Sequence, residues 1–192
     1  IEAAYALMAG TTEHWITDAV DAGGPRTRTL MDRPEVSVVF LRLPDGFPLG
    51  TGSERYGWQS LQRLLEGDIP VIDAVDGSAM YSFDDLLAVL TGLMDDVGPT
   101  DIHVQDYVGD YGDGDHSDHY SVAFLAQIAA VDHGSEHTLY SHQCYGVNER
   151  PGNVVGEDLT RKTDAFLAYS AHDPVTQSGA FIGYISRQYL VD

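Results

Sequence analysis

Ile102-His103-Val104-Gln105-Asp106-Tyr107-Val108-Gly109-Asp110-Tyr111-Gly112-Asp113-Gly114-Asp115-His116-Ser117-Asp118-His119 starts as a strand, crosses a Gly/Asp-rich loop and ends in the first turn of a helix. Ile102 and Val104 make a short apolar run around His103. Beyond the loop, Val122, Leu125, Ile128 and Ala129 recur at helical spacing, which predicts a helix over about 117–131 with those residues inward. Strand, loop and helix in that order form one step of an α/β alternation.

The rest of the chain repeats the alternation. Val36-Ser37-Val38-Val39-Phe40-Leu41 is a β-branched apolar run expected to be a buried parallel strand, followed by a turn at Pro44-Asp45-Gly46. A short amphipathic helix is expected over 57–66, with Trp58, Leu61, Leu64 and Leu65. Ser82-Phe83-Asp84-Asp85 reads as a capping box opening a helix whose stripe is Leu86, Leu87, Leu90, Leu93, Met94 and Val97. A strand over 137–147 and a helix over 157–169 follow, then an irregular aromatic tail over 180–191. The expected fold class is α/β with a mostly parallel sheet.

Composition bounds the function. The chain has 192 residues, suited to one domain over 1–192, and 43% of them are hydrophobic. Thirty acidic residues against ten basic ones give a net charge of -20. Such a surface repels phosphate backbones and anionic membranes, so nucleic acid is not an expected partner. No apolar stretch is long enough for a membrane-spanning helix. Cys144 is the single cysteine, which excludes an internal disulfide and a Cys-based zinc knuckle, and in a strand it reads as a small buried hydrophobe. The chain opens with Ile1, Ala4, Leu7 and Met8 already at helical spacing, without a capping residue or a signal peptide. The expectation is therefore an N-terminally incomplete piece of a longer gene product, with cytoplasmic and secreted locations both open.

The opening stretch also concentrates the chemistry. Five aspartates and two histidines fall within residues 106–119, in a loop of the kind where α/β folds place their sites. His116 and His119 are three residues apart at a helix start and share a face, on which His119 points toward the protein body. Asp118 can orient an imidazole. Three readings follow from spacing: an ordinary solvated turn, a metal or catalytic use of the histidines, or calcium held by Asp110, Asp113, Asp115 and Asp118. The loop lacks the EF-hand order. His133, His137 and His142 have spacings that fit no common zinc pattern, and His103 reads as a buried, hydrogen-bonded strand residue.

His116-Ser117-Asp118-His119 resembles the H-P-D-H motif of the PIG-L/LmbE-like zinc-dependent N-deacetylases, with Ser for Pro. The helix over 2–10, the strand and turn over 38–46 ending Leu43-Pro44-Asp45-Gly46, and the helix carrying Lys162, Ala165, Ala168 and Tyr169 resemble further segments of that family. The resemblance implies a Rossmann-like three-layer fold whose first strand is missing from this chain. It implies zinc-dependent hydrolysis of an N-acetyl group from an N-acetylglucosamine-type sugar or glycoconjugate. His119 takes the role of the zinc ligand, His116 that of the histidine at the tetrahedral intermediate, and Asp118 that of the residue holding an imidazole in its working tautomer. Asp45, with Tyr107 and Tyr111 as an aromatic platform, is expected to meet the sugar. The family's other metal ligands and its general base lie in an H-P-D-D motif that this sequence does not contain, so an upstream segment of the same gene product is an expected partner. Ser117 in place of Pro suits the position as an N-cap. The alternative functions are a non-catalytic carbohydrate-binding relative and a calcium-stabilised structural domain.

Overall fold

The computed structural model describes residues 1–18 and 24–191. In chain order the elements are α1 (Glu2–Met8), β1 (Trp15–Thr17), β2 (Arg26–Leu30), β3 (Arg33–Phe40), α2 (Leu61–Leu65), β4 (Ile72–Asp73), β5 (Met80–Tyr81), α3 (Phe83–Val97), β6 (Asp101–Val104), α4 (Ser117–His133), β7 (Thr138–Ser141), α5 (Gly156–Ser170) and α6 (Ile182–Ile185). Helices and strands mix, so the chain is α/β in the broad sense. Two compact units emerge, one formed by Ile1–Leu41 with Val147–Gln188 and the other by Arg42–Gly146 with Tyr189–Asp192.

The first unit holds an antiparallel sheet in the order β1-β2-β3, with α1 packed on α5 and α5 on α6. Ala6, Trp15 and Leu30 form its buried cluster, with Ala9, Val36 and Val38 partly buried against them. The apolar run at 36–41 is therefore an antiparallel strand with one half-buried face, which corrects the expected parallel strand. Arg33, Glu35 and Ser37 are exposed along β3, and that outward face suits a sheet solvated on one side.

The second unit carries the candidate chemistry. Its β4–β5 pair is antiparallel, and β6–β7 is the one parallel pair among the described strands, with Ile102 opposite Leu139 and Val104 opposite Ser141. The sheets are thus small and mostly antiparallel, a correction to the mostly parallel sheet. The helix α4 joins β6 to β7 and packs on α2, α3 and both strands. Because neighbours surround it, its buried residues are small or centrally placed: Ser117, Tyr120, Ser121, Ala123, Leu125, Ala126, Ala129 and Ala130. Val122 and Ile128, expected inward, are exposed instead. The helix α3 forms where the sequence places it, with Ser82 and Asp85 closing a reciprocal capping box and Leu86 fully buried, although Val97 at the end of the expected stripe is exposed. In place of a helix over 57–66, only Leu61–Leu65 is α-helical, opened by the Ser60 side chain, which accepts from the Arg63 N–H. Gly57 and Trp58 both have left-handed φ, which breaks the helix ahead of Ser60. The expected strand over 137–147 likewise ends at Ser141, and a 3-10 turn spans Tyr145–Glu149. No helix among the described residues is long and apolar enough to cross a membrane.

Candidate metal and catalytic centre

The loop leaving β6 folds onto itself through its own aspartates. Asp106 accepts from the N–H groups of Val108 and Gly109 at 2.7 and 2.9 Å, and Asp113 accepts from the Asp110 N–H at 2.9 Å. These Asx-type turns deliver the chain to the start of α4. The N-cap of α4 is His116, not Ser117: His116 Nδ1 accepts from the Asp118 N–H at 3.2 Å. Ser117 instead donates its hydroxyl to the Phe47 carbonyl at 2.7 Å and pins the segment after Asp45 to the helix start. The Gly46 N–H donates to Asp118 Oδ2 at 2.9 Å, a second tie between the same two segments.

Two donor groups result, each with one ligand atom per residue and all three atoms within 4.8 Å of one another: Asp115, His119 and Cys144; and Asp45, His116 and Asp118. They adjoin, because the His116 and His119 rings lie 5.4 Å apart. Asp115 Oδ1 lies 2.7 Å from His119 Nδ1 and also accepts from the His116 N–H at 2.7 Å. Burial opposes ionisation of Asp115, whose side chain is 8% exposed, yet the bonds from His119 and His116 outweigh it and hold the carboxyl below the ordinary range. The Tyr145 ring stands edge-on to His119 at 5.0 Å. Burial pushes the Cys144 thiol up to about 12, with the Asp115 charge adding to the effect, so the thiol alone is no nucleophile.

In the second group, His116 Nε2 faces Asp45 Oδ1 at 3.3 Å. With Nδ1 accepting a backbone bond, the neutral ring is assigned its proton on Nε2. Asp118 Oδ2 stands 3.8 Å from His116 Nδ1, beyond a hydrogen bond, so Asp118 meets His116 through its backbone rather than as a carboxylate clamp. Burial holds the Asp118 carboxyl above the usual range, against the Gly46 N–H and His116, and its Oδ1 is buried with no hydrogen-bond partner. An orphaned buried carboxylate oxygen beside an imidazole is a vacancy of the kind a cation or ligand proton satisfies.

The structure therefore gathers Asp45, His116, Asp118 and His119, and it adds Asp115 and Cys144. Asp115 was legible as an aspartate four residues before His119, whereas nothing in its spacing marks Cys144. Tyr111 does not serve as an open platform: its hydroxyl bonds Ser121 Oγ at 2.9 Å and its ring packs edge-on to Tyr120 and Phe124. Tyr107 is half-buried, with its N–H donated to Ser141 Oγ at 3.3 Å. Asp110 and Asp113 join neither donor group, and the four aspartates weighed for calcium are split among separate turns and the two groups.

The other histidines lie in separate arrangements. His103 is exposed rather than buried, stacks on Tyr140 and bonds His142 at 2.9 Å. His133 has a buried side chain whose Nδ1 meets Asp95 at 2.5 Å. No protein-family model, curated protein or solved structure matches the chain.

Proposed function

We propose that the start of α4 is part of a zinc-dependent amide-hydrolysing centre that removes the N-acetyl group from an N-acetylglucosamine-type sugar or glycoconjugate. The reading joins the resemblance of His116-Ser117-Asp118-His119 to the PIG-L/LmbE-like deacetylases with one geometric observation. Two mixed donor groups adjoin at the carboxyl end of a parallel strand, one of them holding an imidazole by a buried carboxylate. The β6–α4–β7 unit is the portion of the implied Rossmann-like three-layer arrangement on which this reading stands.

The donors fit zinc by type: imidazole nitrogen, carboxylate oxygen and thiolate sulfur are its ordinary ligands. His119 would hold the ion, with Cys144 as a further donor within reach and Asp115 as the partner that holds the ring. When bound, zinc supplies polarisation of the acetamide carbonyl and acidification of water. The chain's own residues supply the rest. Asp115 fixes the His119 ring through Nδ1 and so leaves Nε2 as the nitrogen that faces outward from that bond. His116 carries a proton on Nε2, placed to donate a hydrogen bond to the charge that develops on the carbonyl oxygen. The amide C–N bond breaks, water oxygen joins the acyl carbon, acetate leaves and the amine gains a proton. Asp45 is exposed at the rim and able to accept from sugar hydroxyls. The resemblance assigns the general base to the H-P-D-D motif, which this sequence does not contain.

The test is acetate release from N-acetylglucosamine oligosaccharides by the complete protein loaded with zinc. His119→Ala is expected to abolish both zinc retention and acetate release. Undiminished release by that variant, or none from any acetamido sugar by the loaded wild type, overturns the proposal.

A further inference from the structure

Three non-glycine residues among those described have left-handed φ: Arg42 at 59°, Phe47 at 61° and Trp58 at 60°. All three lie on the irregular segment over 42–58, and two are exposed aromatics, Phe47 at 43% and Trp58 at 52%. This region is disfavoured for any residue with a Cβ, and glycine or asparagine occupies it at less cost. Exposing an indole forgoes the burial that ordinarily justifies tryptophan. At Trp58 the two costs coincide.

The backbone nevertheless holds Trp58 firmly. Its N–H donates to the Ser53 carbonyl at 2.8 Å, and its own carbonyl accepts from Arg63 Nη1 at 2.6 Å. Gln59 next to it exchanges two hydrogen bonds with Asp73, both at 2.9 Å. Trp58 lines an open cleft of about 390 Å³ together with Leu49, Thr51, Gln62, Arg63 and Glu66. Arg63 is balanced by Asp68 at 3.8 Å, so the cleft offers no unopposed cation. An indole face ringed by amide, hydroxyl, carboxylate and guanidinium groups suits a pyranose, whose C–H face stacks on an aromatic ring while its hydroxyls meet planar polar side chains. A lipid chain would need a wall richer in aliphatic groups than Leu49 alone.

The cleft is tied to the candidate centre. The Phe47 carbonyl accepts both the Gly50 N–H at 3.0 Å and the Ser117 hydroxyl at 2.7 Å, so one atom anchors the cleft's Leu49–Gly50 wall and the start of α4. Ser60, which opens α2, donates its hydroxyl to the Gly50 carbonyl at 2.6 Å from the other side.

We infer that this cleft is a sugar-binding subsite in which Trp58 stacks on a neutral pyranose unit of an oligosaccharide, next to the residue handled at His116. The inference rests on the deacetylase reading for which sugar is its neighbour, but not for the binding itself.

Tryptophan fluorescence gives a direct test, because Trp15 is buried and Trp58 is the exposed indole. The protein is titrated without added metal with the β-1,4-linked N-acetylglucosamine tetrasaccharide, with the monosaccharide, and with a neutral alkyl detergent below micelle formation. The tetrasaccharide is expected to shift emission to the blue and to bind at least about tenfold tighter than the monosaccharide. Trp58→Ala should lose the shift and about tenfold in affinity, and Trp58→Tyr should retain most of it. Trp58→Asn should lower affinity yet raise the thermal midpoint, since it relieves strain without removing buried surface. Equal binding of both sugars, unchanged affinity in Trp58→Ala, a response to detergent alone, or a lower midpoint in Trp58→Asn would each overturn the inference. Oligosaccharide bound through Trp58 without acetate release by the zinc-loaded protein would leave the subsite standing and remove the deacetylase reading. Acetate release with the same KM in Trp58→Ala would do the reverse.

Discussion

Asp115 Oδ1 lies 2.7 Å from His119 Nδ1, and the carboxylate making that bond is almost fully withdrawn from solvent. Asp115 stands just ahead of α4 and His119 in its first turn, so the pair is four residues apart and spans the helix entrance. A buried acceptor that grips one ring nitrogen fixes both the tautomer and the direction of the other. Asp115 is thus the positioning residue for His119, a role the sequence resemblance gave to Asp118 for its imidazole.

The pairing separates three variants. Asp115→Asn is expected to lower zinc affinity by about 10–100-fold, the usual range when a ligand's outer hydrogen-bond partner is lost. His119→Ala should abolish zinc retention, whereas His116→Ala should keep the metal and lose turnover. Competition titration with a chromophoric chelator measures all three. Equal loss of zinc in the His116 and His119 variants would sink this division of roles.

Charge shapes the choice of substrate. No Lys or Arg lies between Asp101 and Glu149, and the net charge of the chain is -20. An acetamido sugar without phosphate is therefore expected to be favoured over its phosphorylated counterpart by at least about tenfold in kcat/KM, with the gap narrowing as salt screens the repulsion. Paired assays of acetate release across a salt series check this, and a preference for the phosphorylated sugar would contradict it.

Gly46 is the narrowest joint of the centre. A Cβ there would come within 2.5 Å of Asp118 Oδ1, 3.1 Å of Ser60 Cβ and 3.2 Å of Ser117 Oγ. Gly46→Ala is expected to destabilise the protein by about 1–3 kcal/mol, as overpacking generally does, and to displace Asp118 from the Gly46 N–H. Chemical denaturation reads the first effect and the activity assay the second. A variant with unchanged stability and activity would show that the segment over 45–47 is free to shift.

The α3 capping box gives a pH signature away from the centre. The Ser82 hydroxyl and N–H both donate to Asp85, and these bonds hold its carboxyl below the ordinary range. Because the folded value is depressed, the stabilisation is present above the unfolded carboxylate value and is lost as pH falls through the folded one. Ser82→Ala is expected to lower Tm by roughly 2–4 °C at pH 7. The difference from wild type should shrink as pH drops below the ordinary carboxylate range. Thermal melts at a series of pH values test this, and a constant difference would assign the loss to the cap alone.

Local geometry was legible in the sequence, and what depended on distant partners was not. The capping box at Ser82, the helix behind it and the strand at Ile102–Val104 appear as read, because near neighbours in the chain set them. The same holds for the histidines at the start of α4, whose mutual placement follows from a single turn. Which residues of α4 face inward was not legible, since four neighbouring elements bury small residues on several sides and leave Val122 and Ile128 outside. The apolar run in β3 specified a strand but not its partner, for a β-branched segment serves equally in a parallel or an antiparallel ladder. The arrival of Cys144 beside His119, the bond from Gly46 to Asp118 across 72 residues, and the left-handed Trp58 on its open cleft were decided by the tertiary structure alone. The reason is physical: a helix turn fixes the distance between near neighbours by covalent geometry, whereas contacts across long stretches exist only once packing has closed the loops between them.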